Sequence, residues 1–349
     1  LAKALLTSQS ECLKDRSKFW KSELIMAIWN SRRTFGVEIE VITHTDPTDM
    51  ANDISNALID AGYSDGAYYS HYDTVGREGN HPVPTQWKVM SDGSLHGEGF
   101  EVVSPILKGE DGFKQLKAVC SALVEPKYKV NKSCGLHIHH GMKDLDGESI
   151  GMAFGLYHAY QRVIHYMVSP SRRNTAGNIF TKELPDSVVN LQSKFKGMTK
   201  EDAVHHIKGR LGCYDGPRTA CRCNARYHTM NPLSILHFKT IEFRQHHGTT
   251  DYEKIRNWIL FTQSIIESAK EMKVFPTPAS QQKAGLTSQK MMRQGNFHRL
   301  KSSTRYNPQR NPNINPERCR PFQDMWKYYN GIIKKFAQQA GKEVNELGM

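Results

Sequence analysis

Three short segments of this 349-residue chain alternate apolar and polar side chains with a period of two, and they limit what it can fold into more than any other feature. In an extended strand, successive side chains point to opposite faces. In TFGVEIEVIT (34–43), Phe35, Val37, Ile39 and Val41 therefore share one face, and Gly36, Glu38 and Glu40 share the other. CGLHIHHG (134–141) sets Leu136 and Ile138 against His137 and His139. KTIEFRQHH (239–247) sets Ile241 and Phe243 against Thr240, Glu242, Arg244 and His246. Each strand thus offers an apolar side to pack on helices and a polar side of groups that bind metals or phosphates. Taken singly, Glu-x-Glu also describes a solvated face and His-x-His a structural pair. Repetition across three strands is what gives the pattern weight.

The intervening sequence supplies the helices. Leu, Trp and Ile recur at helical spacing over 1–30, around Phe19, Leu24 and Ile28. Pro47 opens a helix with Met50, Ile54, Ala57, Leu58 and Ala61 on one side, and Gly62 ends it. Further helices are expected over 111–124, 149–167 and 200–210, with 170–225 otherwise polar and irregular. Thr250 and Glu253 form a capping-box pattern before Ile255, Trp258, Ile259 and Ile266. A last helix over 322–340 carries Phe322, Met325, Trp326, Tyr329, Ile332, Ile333 and Phe336. TQWKVMSDGSLHGEGFEVVSP (85–105) reads as paired short strands joined by glycine turns. Strands and helices do not alternate one for one, which predicts an α+β fold with a largely antiparallel sheet. The chain divides into a helical extension (1–33), a main domain (34–275), a basic Pro/Asn-rich loop or linker (276–320), and a C-terminal helix (321–349) docking on the main domain.

Composition excludes several classes. With 38% hydrophobic and 23% charged residues the chain is globular rather than disordered. No apolar run approaches the ~18 residues of a membrane span. The opening LAKALLTSQSECLKDRSKFW has too short an apolar stretch for a signal peptide. Seven cysteines without a tight framework point to a reducing, cytoplasmic setting. The net charge is +12, and the stretch from Lys283 to Arg320 holds nine Lys/Arg against one acid, Glu317, or +8 of it. Such focusing suits nucleic acid or another polyanion, with Tyr306 placed to stack between Arg305 and Arg310, and equally suits a solvated surface excursion. No Walker loop, Rossmann fingerprint or Ser-His-Asp arrangement is present, so nucleotide would have to bind through the acidic strands.

Brought side by side, the polar faces would collect three carboxylates, two imidazoles and a guanidinium. Carboxylates so close raise one another's pKa unless a cation compensates them. Oxygen ligands with an occasional imidazole suit Mg²⁺, with Mn²⁺ as the alternative. An arginine fork beside them matches a phosphoryl group in transfer.

FGVEIE, WKVMSDGSL…EVVSP, CGLHIHHG and KTIEFRQHHGTTDYEKIRNWI together, over about 34–270, resemble the amidoligase family. That family belongs to the glutamine synthetase/glutamate–cysteine ligase-like carboxylate–amine ligases. The resemblance implies a glutamine synthetase-like catalytic fold over 34–275, a curved sheet with helices on its convex face. It would bind ATP and Mg²⁺ on the concave face and join a small-molecule or peptide carboxylate to an amine through an acyl phosphate. By the same resemblance Glu38, His137 and Glu242 hold the metal that bridges the terminal phosphates. Glu40 and Glu101 hold the metal nearer the acceptor, although Glu98 lies only three residues from Glu101. His139 touches a phosphate, Arg244 stabilises the phosphoryl group, and Glu40 joins Arg244 as a catalytic residue. In RYHTMNPLS (226–234), Arg226 meets phosphate or substrate carboxylate, and Asn231 holds the backbone.

Other readings stay open beside this one. A nucleic-acid-binding protein would use the basic 283–320 segment on a non-catalytic scaffold, and a ligase could act on a nucleic-acid-linked acceptor. A phosphotransferase of the guanidino-kinase fold would make a phosphoguanidine instead of an amide. Cys213, Cys221 and Cys223, with His205, His206 and His228, form either a zinc site or ordinary thiols. Asp92 reads as a turn former bordering the cavity, and Trp87 as core.

Overall fold

The computed structural model describes residues 29–70, 84–165, 167–173, 178–191, 195–212, 224–271 and 315–339. The helix expected over 1–30, the three cysteines of the zinc reading and nearly all of the basic segment lie outside them. Alternation makes the strands. β1 (Thr34–Ile42), β2 (Ala67–Ser70), β3 (Trp87–Ser91), β4 (Gly99–Val103), β5 (Leu107–Lys108), β6 (Gly135–Gly141), β7 (Met230–Asn231) and β8 (Thr240–His247) join in one sheet. Its order is β2-β3-β4-β1-β6-β8-β7, with β5 also paired to β1. β2 and β3 run parallel and every other pairing is antiparallel. A mixed α/β architecture with a mostly antiparallel sheet follows, and β1, first in sequence, lies near the middle.

The helices are α1 (Pro47–Asp60), α2 (Gly109–Ala122), α3 (Gly147–Ile164), α4 (Lys200–Arg210), α5 (Leu233–Phe238), α6 (Tyr252–Glu271) and α7 (Arg320–Gln339). In α1, Asp46 accepts from the Thr48 amide and Pro47 takes the first turn, while Met50, Ile54 and Leu58 are buried. α6 begins one residue later than the capping-box pattern suggests. The Asp251 carboxylate, rather than Thr250, accepts from the amides of Glu253 and Lys254.

The apolar strand faces meet these helices in one core. Val37, Ile39, Leu136, Ile138, Ile241 and Phe243 are fully buried with Leu116 of α2, Phe154 and Tyr157 of α3, and Trp258 and Phe261 of α6. Residues of that size each contribute about 1.5–3 kcal/mol on burial, so the polar faces ride on a rigid support. α7 docks on α6, with the Trp326 and Tyr329 rings 6.0 and 5.7 Å from that of Phe261.

One local irregularity changes a face. Ile138 pairs with Phe243, but Leu136 pairs with His246, so β8 carries one extra residue opposite His137. A bulge of this kind breaks the alternation. His246 therefore leaves the face it shares with Glu242 in an ideal strand and packs against Trp258, ring centroids 5.0 Å apart. Gln245 accepts a 2.6 Å hydrogen bond from the buried Tyr157 hydroxyl.

Candidate active site

The sheet face opposite the core carries a cluster built by cross-strand pairing. Glu40 of β1 stands opposite Glu101 of β4, and Glu38 opposite His137 of β6. His139 in turn stands opposite Glu242 of β8, and Glu242 opposite Asn231 of β7. Glu38, Glu101, His137, His139, Glu242, Arg244, Arg226 and Asn231 all line one cavity of about 640 Å³. Glu40 lies beneath it, almost fully buried, accepting a 2.6 Å hydrogen bond from the Gly135 amide.

Glu38 is the hub. Its two oxygens meet His137 Nδ1 at 2.8 Å and His139 Nε2 at 3.1 Å. His137 also reaches Glu40 at 3.6 Å and Glu242 at 3.9 Å. Glu242 takes a 2.6 Å hydrogen bond from the Asn231 amide and another from Arg244 Nη1. Asn231 also does the backbone work expected of it, its Oδ1 accepting from the Leu233 amide at 2.9 Å. Arg226 sits at the rim, its guanidinium carbon 5.2 Å from the Tyr227 ring centre.

Electrostatics split the carboxylates. Burial pushes Glu38 up, but His139 and His137 more than offset it and hold it well below the usual range. Burial acts on Glu242 too, and Arg244 and His139 overcome it. At Glu101 the relief is too small: burial, then Glu38, Glu40 and Asp92, push it well above the ordinary value against a lesser pull from Arg244. A cation bound among these groups would relieve the repulsion that raises Glu101.

Three sets of donor atoms lie within 4.8 Å of one another: Glu38, His139 and Glu242; Glu38, Glu101 and His137; and Glu40, Asp92 and Glu101. Oxygen-rich sets with at most one imidazole fit a hard divalent cation. His139 joins Glu38 and Glu242 in one set and His137 joins Glu38 and Glu101 in another, while His137 Nδ1 also lies 2.8 Å from Glu38 and 3.9 Å from Glu242. Of the two glutamates three residues apart, Glu101 faces the cavity. Glu98 is exposed and pairs with His44 at 2.7 Å. Trp87 is core.

Three residues of the site carry no clear sequence signal. Asp92 keeps its turn role, accepting from the Ser94 amide at 2.7 Å, and also completes the Glu40–Glu101 set. Its glycine-turn context was the only hint. Lys88 lines the cavity from β3, where it reads as one polar residue in an apolar strand. Arg172 comes from the irregular 170–225 stretch and donates 2.9 Å to the Arg244 carbonyl at the bulge. Burial lowers its pKa to about 10 against the attraction of Glu40. Gly135 makes the close approach possible. A Cβ there would lie 2.5 Å from Arg172 Nη2 and 3.1 Å from His137 Nε2.

Residues 31–266 match the family model described as "Putative amidoligase enzyme". The chain belongs to the amidoligase family. That membership makes a carboxylate–amine ligase the kind of function at issue. Among curated proteins, no sequence matches the chain. Among solved structures, this amidoligase is similar to the crystal structure of a bifunctional glutathione synthetase from Pasteurella multocida. The two share 13% identity over 91% of this chain and 52% of that one, with a TM-score of 0.43. The amidoligase therefore spans about half the length of that protein. Among the described residues no helix is long and apolar enough to cross a membrane.

Proposed function

We infer that this amidoligase is an ATP-dependent carboxylate–amine ligase with a glutamine synthetase-like catalytic fold. The observation that carries the reading is the convergence of Glu38, Glu40, Glu101 and Glu242 with His137, His139 and Arg244 on one face of the sheet. In the reaction, an oxygen of the substrate carboxylate attacks the γ-phosphorus of ATP, ADP leaves, and an acyl phosphate forms. The amine then attacks the acyl carbon, phosphate leaves, and the amine gives up a proton. Mg²⁺ held by the carboxylate sets would neutralise the phosphates and polarise the γ-phosphoryl group.

The chain's own groups do the remaining work. Arg244 Nε is buried with no hydrogen-bond partner among the described residues, and Nη1 is held by Glu242. The guanidinium is thereby fixed in orientation with a donor to spare for a transferring phosphoryl oxygen. His139, its Nδ1 2.9 Å from Thr240 Oγ1, its Nε2 3.1 Å from Glu38 and its ring edge-on to Phe238, flanks the guanidinium's side of the cavity and positions Glu38. Arg226, His237 and Phe238 line the same side of the cavity and suit the rest of the nucleotide.

The test is a coupled assay for ADP release with panels of carboxylates and amines, hydroxylamine included as a general trap for acyl phosphates. ADP release that needs Mg²⁺, a carboxylate and Glu40, with a hydroxamate formed in the trap, supports the reading. A protein that binds no Mg·ATP by calorimetry and releases no ADP across the panels would refute it.

A further inference from the structure

The cavity extends beyond the acidic cluster in the direction away from Arg244. On that side it is lined by β3, β4 and the turn after β4, with Pro84, Met90, Val103, Pro105 and Ile106 supplying an apolar wall. Among the described residues of these elements one cation lines it, Lys88, while Lys143, Arg226, Lys239 and Arg244 line the rest of the cavity. Lys88 is 7% exposed, and none of the described residues gives it an ion pair within 4.0 Å. A buried ammonium with no ion pair among the described residues is expensive to keep, which suits a group that waits for an anionic ligand. Burial accordingly lowers its pKa, against the pull of Glu101.

Register fixes its distance from the chemistry. Lys88 stands opposite Val103, and Met90 opposite Glu101, so Lys88 is the diagonal neighbour of Glu101, with Cα atoms about 7–8 Å apart. Arg244 is four strands away in the sheet order, roughly 19 Å at the usual strand spacing. A phosphoryl group on Arg244 therefore leaves Lys88 unused, whereas a carboxylate beside Glu101 brings the rest of its molecule onto the apolar wall and toward the ammonium.

We propose that Lys88 determines specificity for the carboxylate substrate by binding a second anionic group on it, so that the site takes a dianionic acid with an apolar stem. This rests on the ligase reading, and it adds what that reading leaves open: which class of acid is bound, and by which residue.

The experiment titrates the full chain by calorimetry, with and without Mg²⁺ and a non-hydrolysable ATP analogue. The probes are succinate, glutarate and adipate, each beside its monomethyl ester. At least one diacid is expected to bind tenfold or more tightly than its ester, and Lys88→Met to abolish that preference while nucleotide-analogue binding persists. Lys88→Arg should retain part of it. Loss of a buried cation should leave the melting temperature of Lys88→Met equal or higher, which guards against misfolding as the cause.

The proposal is overturned if no diacid outbinds its ester. It is also overturned if the preference survives in Lys88→Met, or if that variant loses Mg²⁺ or nucleotide affinity instead, as a mere counter-ion of Glu101 would. Absence of nucleotide binding in the wild type would count against the ligase reading. Nucleotide binding without Lys88-dependent preference would count against this inference alone.

Discussion

Glu101 and Arg244 show how the same sheet face produces opposite charge states. Arg244 stabilises its carboxylate neighbour Glu242, whereas at Glu101 burial and the like charges of Glu38, Glu40 and Asp92 outweigh the pull of Arg244. A carboxyl whose folded pKa is raised holds a proton that a bound cation must displace. Mg²⁺ binding is therefore expected to release protons, with affinity rising with pH until Glu101 is ionised. Calorimetry in buffers of different ionisation enthalpy measures that release, and Glu101→Gln should remove most of it. Arg244→Met should lower ligase turnover by about 10²–10³-fold, the loss typical of one transition-state donor, with a smaller effect on nucleotide affinity in direct binding measurements. At this scale the alternating positions were legible because period two is a local rule. Glu38, Glu40, His137, His139 and Glu242 announce themselves within their own strands. Asp92, Lys88 and Arg172 do not, because their roles depend on neighbours supplied by distant segments.

At the scale of elements, long periodic segments were readable and short ones were not. β1, β6, β8 and α6 follow from spacing alone. β2, β7 and α5 exist because a neighbour completes them, as β7 does through pairing with β8. The bulge in β8 is likewise invisible locally, since it is defined by the register against β6. Its consequence is chemical: the end of the strand buries His246 and leaves the half-buried His247 against it. The His246 and His247 rings stack with centroids 4.2 Å apart, and His247 Nδ1 accepts from the Ser169 amide at 3.2 Å. Burial, then Lys254 and Arg172, lowers His247 to about 4, and burial with His247 holds His246 well down. The unfolded chain binds these protons from about 6.5, so stability is full above that pH and falls as pH drops toward 4. Each such ring contributes up to about 1.4 kcal/mol per pH unit, readable as a falling urea midpoint, and His247→Asn should flatten the profile. The helix that follows offers a second test. Asp251→Ala should cost about 1 kcal/mol in chemical denaturation and Thr250→Ala far less, because Asp251 makes the cap.

For the whole molecule, the question is what keeps β1 in place, since the strand that carries Glu38 and Glu40 is paired on both sides and reached by no local turn. Sequence cannot show this, because the strand order brings together segments separated by more than a hundred residues. One answer lies just before β1, in Arg33. Its buried guanidinium donates to Glu267 of α6, to both oxygens of Asp144 at 2.9 Å, and to the Gly141 carbonyl at the end of β6. It thus ties the first strand, the central strand β6 and the helix beneath them at a single point. Arg33→Met would leave Glu267 buried without its main partner, and breaking a buried pair from one side typically costs about 3–5 kcal/mol. Lys270 softens this, because it already lies 2.6 Å from Asp144 and 3.8 Å from Glu267. A loss near 3 kcal/mol in urea denaturation is therefore expected. Pairing Arg33→Met with Glu267→Leu should recover most of it, since removing both charges together leaves nothing uncompensated in the core. Should the double variant prove no more stable than Arg33→Met, the guanidinium would be acting through its bonds to Gly141 and Asp144, and the tie would run through β6 and not through α6.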